Sequence, residues 1–426
     1  MKKVLILLVF LLPASLILLS CGGYSSPSGS GGGSGIKYRA FITNNVSAGT
    51  GFAGVYIVDA AKDVRGSFSP ISAGNTPGMM AVTPNRTLTL VFSGNGTQFS
   101  DNQFTIIINA SEAAGGHVTL PGLTESFVVS PDSSAAYVAV PTAPVIGQSP
   151  GIVEAISLGN GTVTGQVDIP SAHFLSIDNS GNRILAFSDN SDSVAVITPS
   201  NIGIGNAVTP VCCFARPVAA FFSSDDSTAY VVNCGAECGG TQASVQTLDL
   251  TTNPPTPGTA VRVDAATVAF VNNSTMYLAG TPLPAVSCTV QQVQTTCGEL
   301  TTFDLASMSV VGSPVPINDG YHNRIALGAN GQLFIGARTC SQAGCLSIYN
   351  TQNSAVGTVP PGGVGFPPTP GDVTSIQPIA TRTVVYVVQG GTLYVYDTKT
   401  DAVDPVEEQK LSNLIGDFVD VKTIDF

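Results

Sequence analysis

Pro217 to Asn233 reads PVAAFFSSDDSTAYVVN. An apolar run from Val218 to Phe222 meets a polar cluster, Ser223 to Ser227, and a second apolar run from Ala229 to Val232 closes on an Asn. Both runs have the length and the β-branched and aromatic content of strands. Ser and Asp between them are turn formers, because their short side chains bond the local backbone. The stretch therefore predicts a strand, a tight turn and a returning strand.

The same arrangement recurs along the chain. Aligned on the first apolar run, it begins at Met79, Phe127, Phe174, Val218, Thr267, Arg324, Val373 and Asp417, at spacings of 44 to 57 residues. Each start but the last leads to a second strand, such as SSAAYVAV (Ser133 to Val140) or RTVVYVV (Arg382 to Val388). A third follows, as in GVYIVDA (Gly54 to Ala60), and then a weaker fourth. Four short strands at this period predict an all-β protein, a β-propeller of four-stranded blades. A plain sandwich does not repeat itself in this way. The last start, Asp417 to Phe426, has no second strand after it, and the first ordered segment, YRAFITN (Tyr38 to Asn44), has no first strand before it. Pairing the two terminal strands completes one blade and closes the ring, which removes both free edges. The count is eight blades, with seven as the alternative if the long sixth unit is not a blade.

Composition agrees with many short strands. Only 10% of the 426 residues are Asp, Glu, Lys or Arg, against roughly 25% in an ordinary soluble domain, while Gly (46) and Pro (28) are plentiful. The net charge of −12, with no cluster of Lys and Arg beyond Lys2 and Lys3, argues against nucleic acid as a partner.

Lys2 and Lys3 precede an apolar run from Val4 to Leu19, then Ser20 and Cys21. A basic start, a short apolar core and a small residue before the break form a secretory signal. The run is interrupted by Pro13 and is shorter than the roughly 20 residues of a membrane span. Leu18-Leu19-Ser20-Cys21 resembles the bacterial lipobox, which implies residues 1–20 as signal peptide and lipidation of Cys21 as the membrane anchor. Gly22 after that Cys implies the outer membrane. Residues 21–35 hold the lipidated Cys and a Gly/Ser tether, which spans on the order of 20 Å as a flexible coil. The propeller occupies 36–426.

The strand pair resembles the YVTN-type repeat of extracytoplasmic propellers, relatives of the lactonase-like family. Tyr230-Val-Val-Asn233, Phe41-Ile-Thr-Asn44 and the turn Ser130-Pro131-Asp132-Ser133 carry the resemblance. It implies blade geometry and brings no catalytic motif. The absence of Trp argues against WD40 repeats and against quinoprotein-type propellers, including the eight-bladed lipoprotein of outer-membrane assembly.

Apart from Cys21, eight cysteines remain, an even number in an exported chain. Cys288 with Cys297 and Cys340 with Cys345 flank loops between second and third strands. Cys234 and Cys238 lie in the equivalent loop one blade earlier, and Cys212 and Cys213 precede the first strand of that same blade. In a propeller these loop classes share one face, opposite the tight turns. All eight are expected in disulfides, with free thiols, or a zinc site at Cys212, Cys213, Cys234 and Cys238, as the alternatives; that spacing is not the usual knuckle. Stapled long loops suggest a presented binding face.

On that face the chain enters the channel just before each first strand, through Glu125, His173, Arg216, His322 with Asn323, Asp372 and Asp417. Such a ring could hold a divalent metal or an anion, or do acid–base chemistry. There is no Gly-x-Ser-x-Gly elbow and no His-Glu-x-x-His. The sequence thus points first to a binding or scaffold lipoprotein that engages a protein or small-molecule ligand through its loop face. The alternative is a lactonase-like hydrolase in which Glu125, Asp372 or Asp417 holds a metal or acts as base and His173 or His322 moves protons. A third reading is a surface adhesion module.

Overall fold

The computed structural model describes residues 33–45, 52–66, 69–94, 101–290, 293–340, 344–359, 371–411 and 414–425. The expected signal peptide, Cys21 and most of the expected tether lie outside the described residues. Its strands form eight antiparallel sheets, each continuing along the chain from the one before. Blade 1 joins the two ends: Phe418–Thr423 is its inner strand, followed outward by Arg39–Asn44, Gly54–Asp59 and Val64–Arg65. Blades 2 to 8 begin with inner strands Pro77–Val82, Ser126–Val129, Ala172–Ile177, Pro217–Phe222, Val268–Asn272, Tyr321–Leu327 and Val373–Pro378. The strand expected from PVAAFFSSDDSTAYVVN pairs Phe222 with Ala229 and Pro217 with Asn233.

The burial gradient follows from this stacking. Second strands are sandwiched between neighbouring blades, so both faces are covered and nearly every residue is buried, as in Val384–Gln389. Outer strands such as Thr162–Asp168 face solvent and are largely exposed. Among the described residues one apolar cluster fills each interface between adjacent blades. Ala40, Ile42 and Tyr56 of blade 1 meet Tyr386, Val388 and Val395 of blade 8 in the cluster that closes the ring.

The tight turns share a side-chain device. Asp225 Oδ1 accepts from Ser223 Oγ (2.7 Å), Ser227 Oγ (2.8 Å) and Ser227 N (3.1 Å), and Asp132 and Asn85 make the same set in blades 3 and 2. These bonds stabilise the carboxylate and hold Asp225 at about 2. The next residue in each turn takes a left-handed conformation (Arg86, Ser133 and Asp226 at φ 59°, 63° and 58°) and bonds the preceding blade. Ser133 Oγ accepts from Asn85 N (3.1 Å), and Asp226 accepts from Asn179 N and Ser180 N (both 2.9 Å).

The sixth unit is a full blade. Its extra length is a second hairpin, Val286–Val290 paired with the start of a long third strand, Val293–Asp304. The loop expected between Cys288 and Cys297 is therefore paired strand.

Candidate functional site

At the loop-face end of the channel, side chains from blades on opposite sides of the ring meet. Glu125 precedes the inner strand of blade 3, and His173 lies in that of blade 4. His173 Nδ1 lies 2.7 Å from Asp189 Oδ1, and its Nε2 lies 3.6 Å from Glu125 Oε2. Arg338, at the end of the second strand of blade 7, places NH1 3.7 Å from the same Glu125 oxygen. Blades 3 and 7 stand four places apart in a ring of eight, so this contact spans the mouth.

His173 reaches the mouth through a backbone irregularity. Ala172 pairs with Ser188 and Phe174 with Phe187, leaving His173 as an inserted residue without a cross-strand partner. Such bulges redirect a side chain. Register breaks fall at the same level in blades 5, 7 and 8, at Val218, Asn323 and Thr374. The ring of His173 also stacks on Phe174, with centroids 4.1 Å apart. Burial works against a charged ring, but hydrogen bonds to Glu125 and Asp189 outweigh it and raise the pKa of His173. The hydrogen bond to His173 in turn lowers the pKa of Glu125.

Two disulfides stand beside ionisable groups of this region. Cys234–Cys238 closes the short helical turn Gly235–Cys238, and Glu237 within it accepts Thr281 N of blade 6 at 2.7 Å. Burial pushes Glu237 up to about 7. Cys340–Cys345 closes the loop that follows Arg338, and Thr339 N donates to Asp372 Oδ1 at 2.8 Å. Tyr321 opens the inner strand of blade 7: burial raises its pKa, the fields of Glu237, Glu125 and Asp189 add to that, and Arg338 opposes it. One step further in, Arg324 donates to Thr374 O (2.6 Å) and Asn323 O (2.8 Å), and burial lowers its pKa.

Of the residues singled out by sequence, the structure brings Glu125 and His173 together. Arg216 forms a neighbouring pair with Asp192 (3.4 Å) on the rim. His322 does not face the mouth. It is 1% exposed, neither ring nitrogen has a hydrogen-bond partner, and burial pushes it down to about 4, so it is a neutral core residue. The expectation failed because the register break at Asn323 turns the strand there. Asp372 is used in holding Thr339, and the backbone of Asp417 donates to Asn44 Oδ1 (2.7 Å). Sequence reasoning passed over Arg338, Tyr321 and Glu237, and it read Asp189 only as part of a short loop, without a link to the mouth. Asp189 and Arg338 both mark the loop-face ends of second strands, so reading those ends beside the starts of first strands would have found them.

The cysteines need one correction. Cys212 and Cys213 are exposed free thiols, and their expected bridges are not formed, because Cys234 and Cys238 are satisfied by each other. That pairing also removes the four-thiol zinc alternative. Cys297 is disulfide-bonded, while the side chain of Cys288 lies outside the described residues. Among the described residues no group of three or more His, Cys, Asp or Glu is arranged to hold a metal ion.

Exposed apolar side chains stand on the same face. Phe52 (66% exposed), Leu123, Ile146, Leu283 and Ile415 lie in its loops and links. Among the described residues no helix is long and apolar enough to cross a membrane.

No family model and no curated protein matches this chain by sequence. Solved structures do match its fold. Dihydro-heme d1 dehydrogenase NirN aligns at a TM-score of 0.60 with 10% identity, over 92% of this chain and 75% of that one. Hydrazine synthase of Kuenenia stuttgartiensis aligns at 0.53 with 13% identity, over 79% and 99%. BamB from Moraxella catarrhalis aligns at 0.50 with 11% identity, over 76% and 86%. At such identities the likeness is one of architecture, and what it establishes is that this chain is a β-propeller, here with eight four-stranded blades and a ring closed by its terminal strands.

Proposed function

We propose that this chain is an extracytoplasmic lipoprotein, anchored through Cys21 to a bacterial membrane, most simply the outer one, whose propeller is a binding or scaffold module working through its stapled loop face. One observation carries the reading. The two disulfides on that face each fix a loop beside an ionisable residue, Glu237 and Arg338, at the channel mouth. Fixing polar groups before a partner arrives lowers the entropy cost of binding. Around them stand exposed Phe52, Ile146, Leu283 and Ile415, the apolar surface that a protein partner needs. The partner is a protein that covers the loop face and places a polar group in the mouth.

The lactonase-like hydrolase is the second reading, supported by the His173 pair of carboxylates. A histidine can accept a proton only in its neutral form, whereas Glu125 and Asp189 favour the charged form of His173. That weighs toward binding.

The test is a photo-crosslinking residue placed at Tyr321 in cells, with the turn-face position Asp225 as control. A discrete adduct from Tyr321 and none from Asp225 is expected. Hydrolysis of a lactone or ester by the purified chain, lost in His173→Gln, would replace binding by catalysis. Lipid labelling should vanish in Cys21→Ala, and its persistence would refute Cys21 as the attachment site.

A further inference from the structure

Cys212 ends the outer strand of blade 4, Val208–Cys212, and Cys213 begins the link to blade 5. Both are free and exposed. Adjacent residues of a regular strand point to opposite sides. Here Cys213 leaves the strand conformation at φ 80°, which breaks that alternation between Cys212 and Cys213. A left-handed conformation in a residue other than glycine is strained and persists only where the surroundings hold it.

The surroundings do hold it. Phe214 is buried, and its N–H donates to Asp192 O at 3.1 Å. Buried Gln246 donates from Nε2 to Cys213 O at 3.4 Å, and buried Asn233 accepts Ala215 N through Oδ1 at 3.2 Å. Two interior amide side chains of blade 5 thus fix the segment that carries the thiols. Cys213 also lines a cavity of about 290 Å³ with Thr241, Gln242, Gln246 and Arg262. Arg262 is the charged residue of that lining, and no carboxylate or His contributes to it.

We propose that Cys212 and Cys213 form a two-thiolate site for a soft, thiophilic monovalent cation of the class of Cu(I). Thiolates select soft ions, and Ca²⁺ and Mg²⁺ require oxygen ligands that are not present here. Zinc closes a structural site with four ligands, and this pair supplies two. Binding releases one proton from each thiol and leaves a bis-thiolate complex with one net negative charge. Arg262 at the cavity wall complements that charge. The site is separate from the channel mouth and independent of what the mouth binds.

Cu(I), supplied anaerobically as its bathocuproine disulfonate complex, is titrated against the purified chain with its disulfides intact. Two reactive thiols per chain and transfer of one Cu(I) per chain are expected. Both exposed positions tolerate substitution, so Cys212→Ser and Cys213→Ser fold, and each should lower the affinity by more than the roughly 100-fold upper cost of losing an outer-shell partner, because a ligand itself is removed. Zn(II) under the same conditions should not be retained. Absence of titratable thiols in the native chain, no transfer of Cu(I), or undiminished transfer to either Ser variant would overturn the proposal.

Discussion

His173 shows how little of a side chain's role is set by its position in sequence. Its neighbours along the chain are apolar, yet the bulge delivers it between Glu125 and Asp189. Its folded pKa is raised, so the stability it contributes is fully present below about pH 6.5, its unfolded value, and is lost as pH rises through the folded value. Urea midpoints at pH 6 and pH 8 should differ less in His173→Gln than in the parent. The change amounts to ~1 kcal/mol or less, since Glu125 and Asp189 are half exposed. Glu154 has the same pH sign for a different reason. It is buried on the third strand of blade 3, and desolvation pushes it from 4.5 up to about 7. A carboxyl that binds its proton more tightly when folded costs stability as pH rises from about 4.5 to about 7. Glu154→Gln should therefore stabilise the chain above pH 7, by up to roughly 3 kcal/mol, and not at pH 4; an equal gain at both would refute the assignment.

At the scale of the element, blades are joined by side chains that cross between them. Asp63, fully buried in the last turn of blade 1, takes both guanidinium nitrogens of Arg382 from the inner turn of blade 8 at 2.6 Å and also accepts from the Tyr386 hydroxyl. Removing one partner strands a buried charge, so Arg382→Ala should cost about 3 kcal/mol, seen as a lower denaturation midpoint with an unchanged slope. The staples act locally. Cys340 and Cys345 are five residues apart, and replacing both with Ser should cost about 2 kcal/mol by the loop-entropy argument. Amide exchange should quicken at Thr339 beside Arg338, while protection in the second strand of blade 3 stays as it was.

At the scale of the molecule, the ring depends on one non-covalent closure. Ile42 pairs with Val421 and Phe41 with Lys422, and Arg39 binds Asp425 through Nε (2.8 Å) and NH2 (2.6 Å). Deleting residues 417–426 removes an inner strand and leaves the edge of Arg39–Asn44 unpaired, a template for aggregation. The expected product elutes from size exclusion as aggregate and lacks the cooperative transition of the parent; a folded monomer would show that closure is dispensable.

The propeller, its eight units and its closure were legible in the chain, because each blade is a local pattern of apolar runs and turn residues written eight times. Period and strand length are properties of neighbours in sequence, and they survive translation into three dimensions. The sides of the channel mouth were partly legible, as Glu125 and His173 show, since blade topology alone places them. His322 failed, and Arg338 and Glu237 went unseen, for a common reason. Which way an inner-strand side chain points depends on a one-residue bulge, and which loop reaches the mouth depends on a disulfide and on the blade it rests against. The pairing of Cys234 with Cys238, which frees Cys212 and Cys213, has the same origin. Parity in the sequence counted the thiols, but only the tertiary structure decided which of them met, because a bridge forms where Cα atoms come to within about 6 Å of each other.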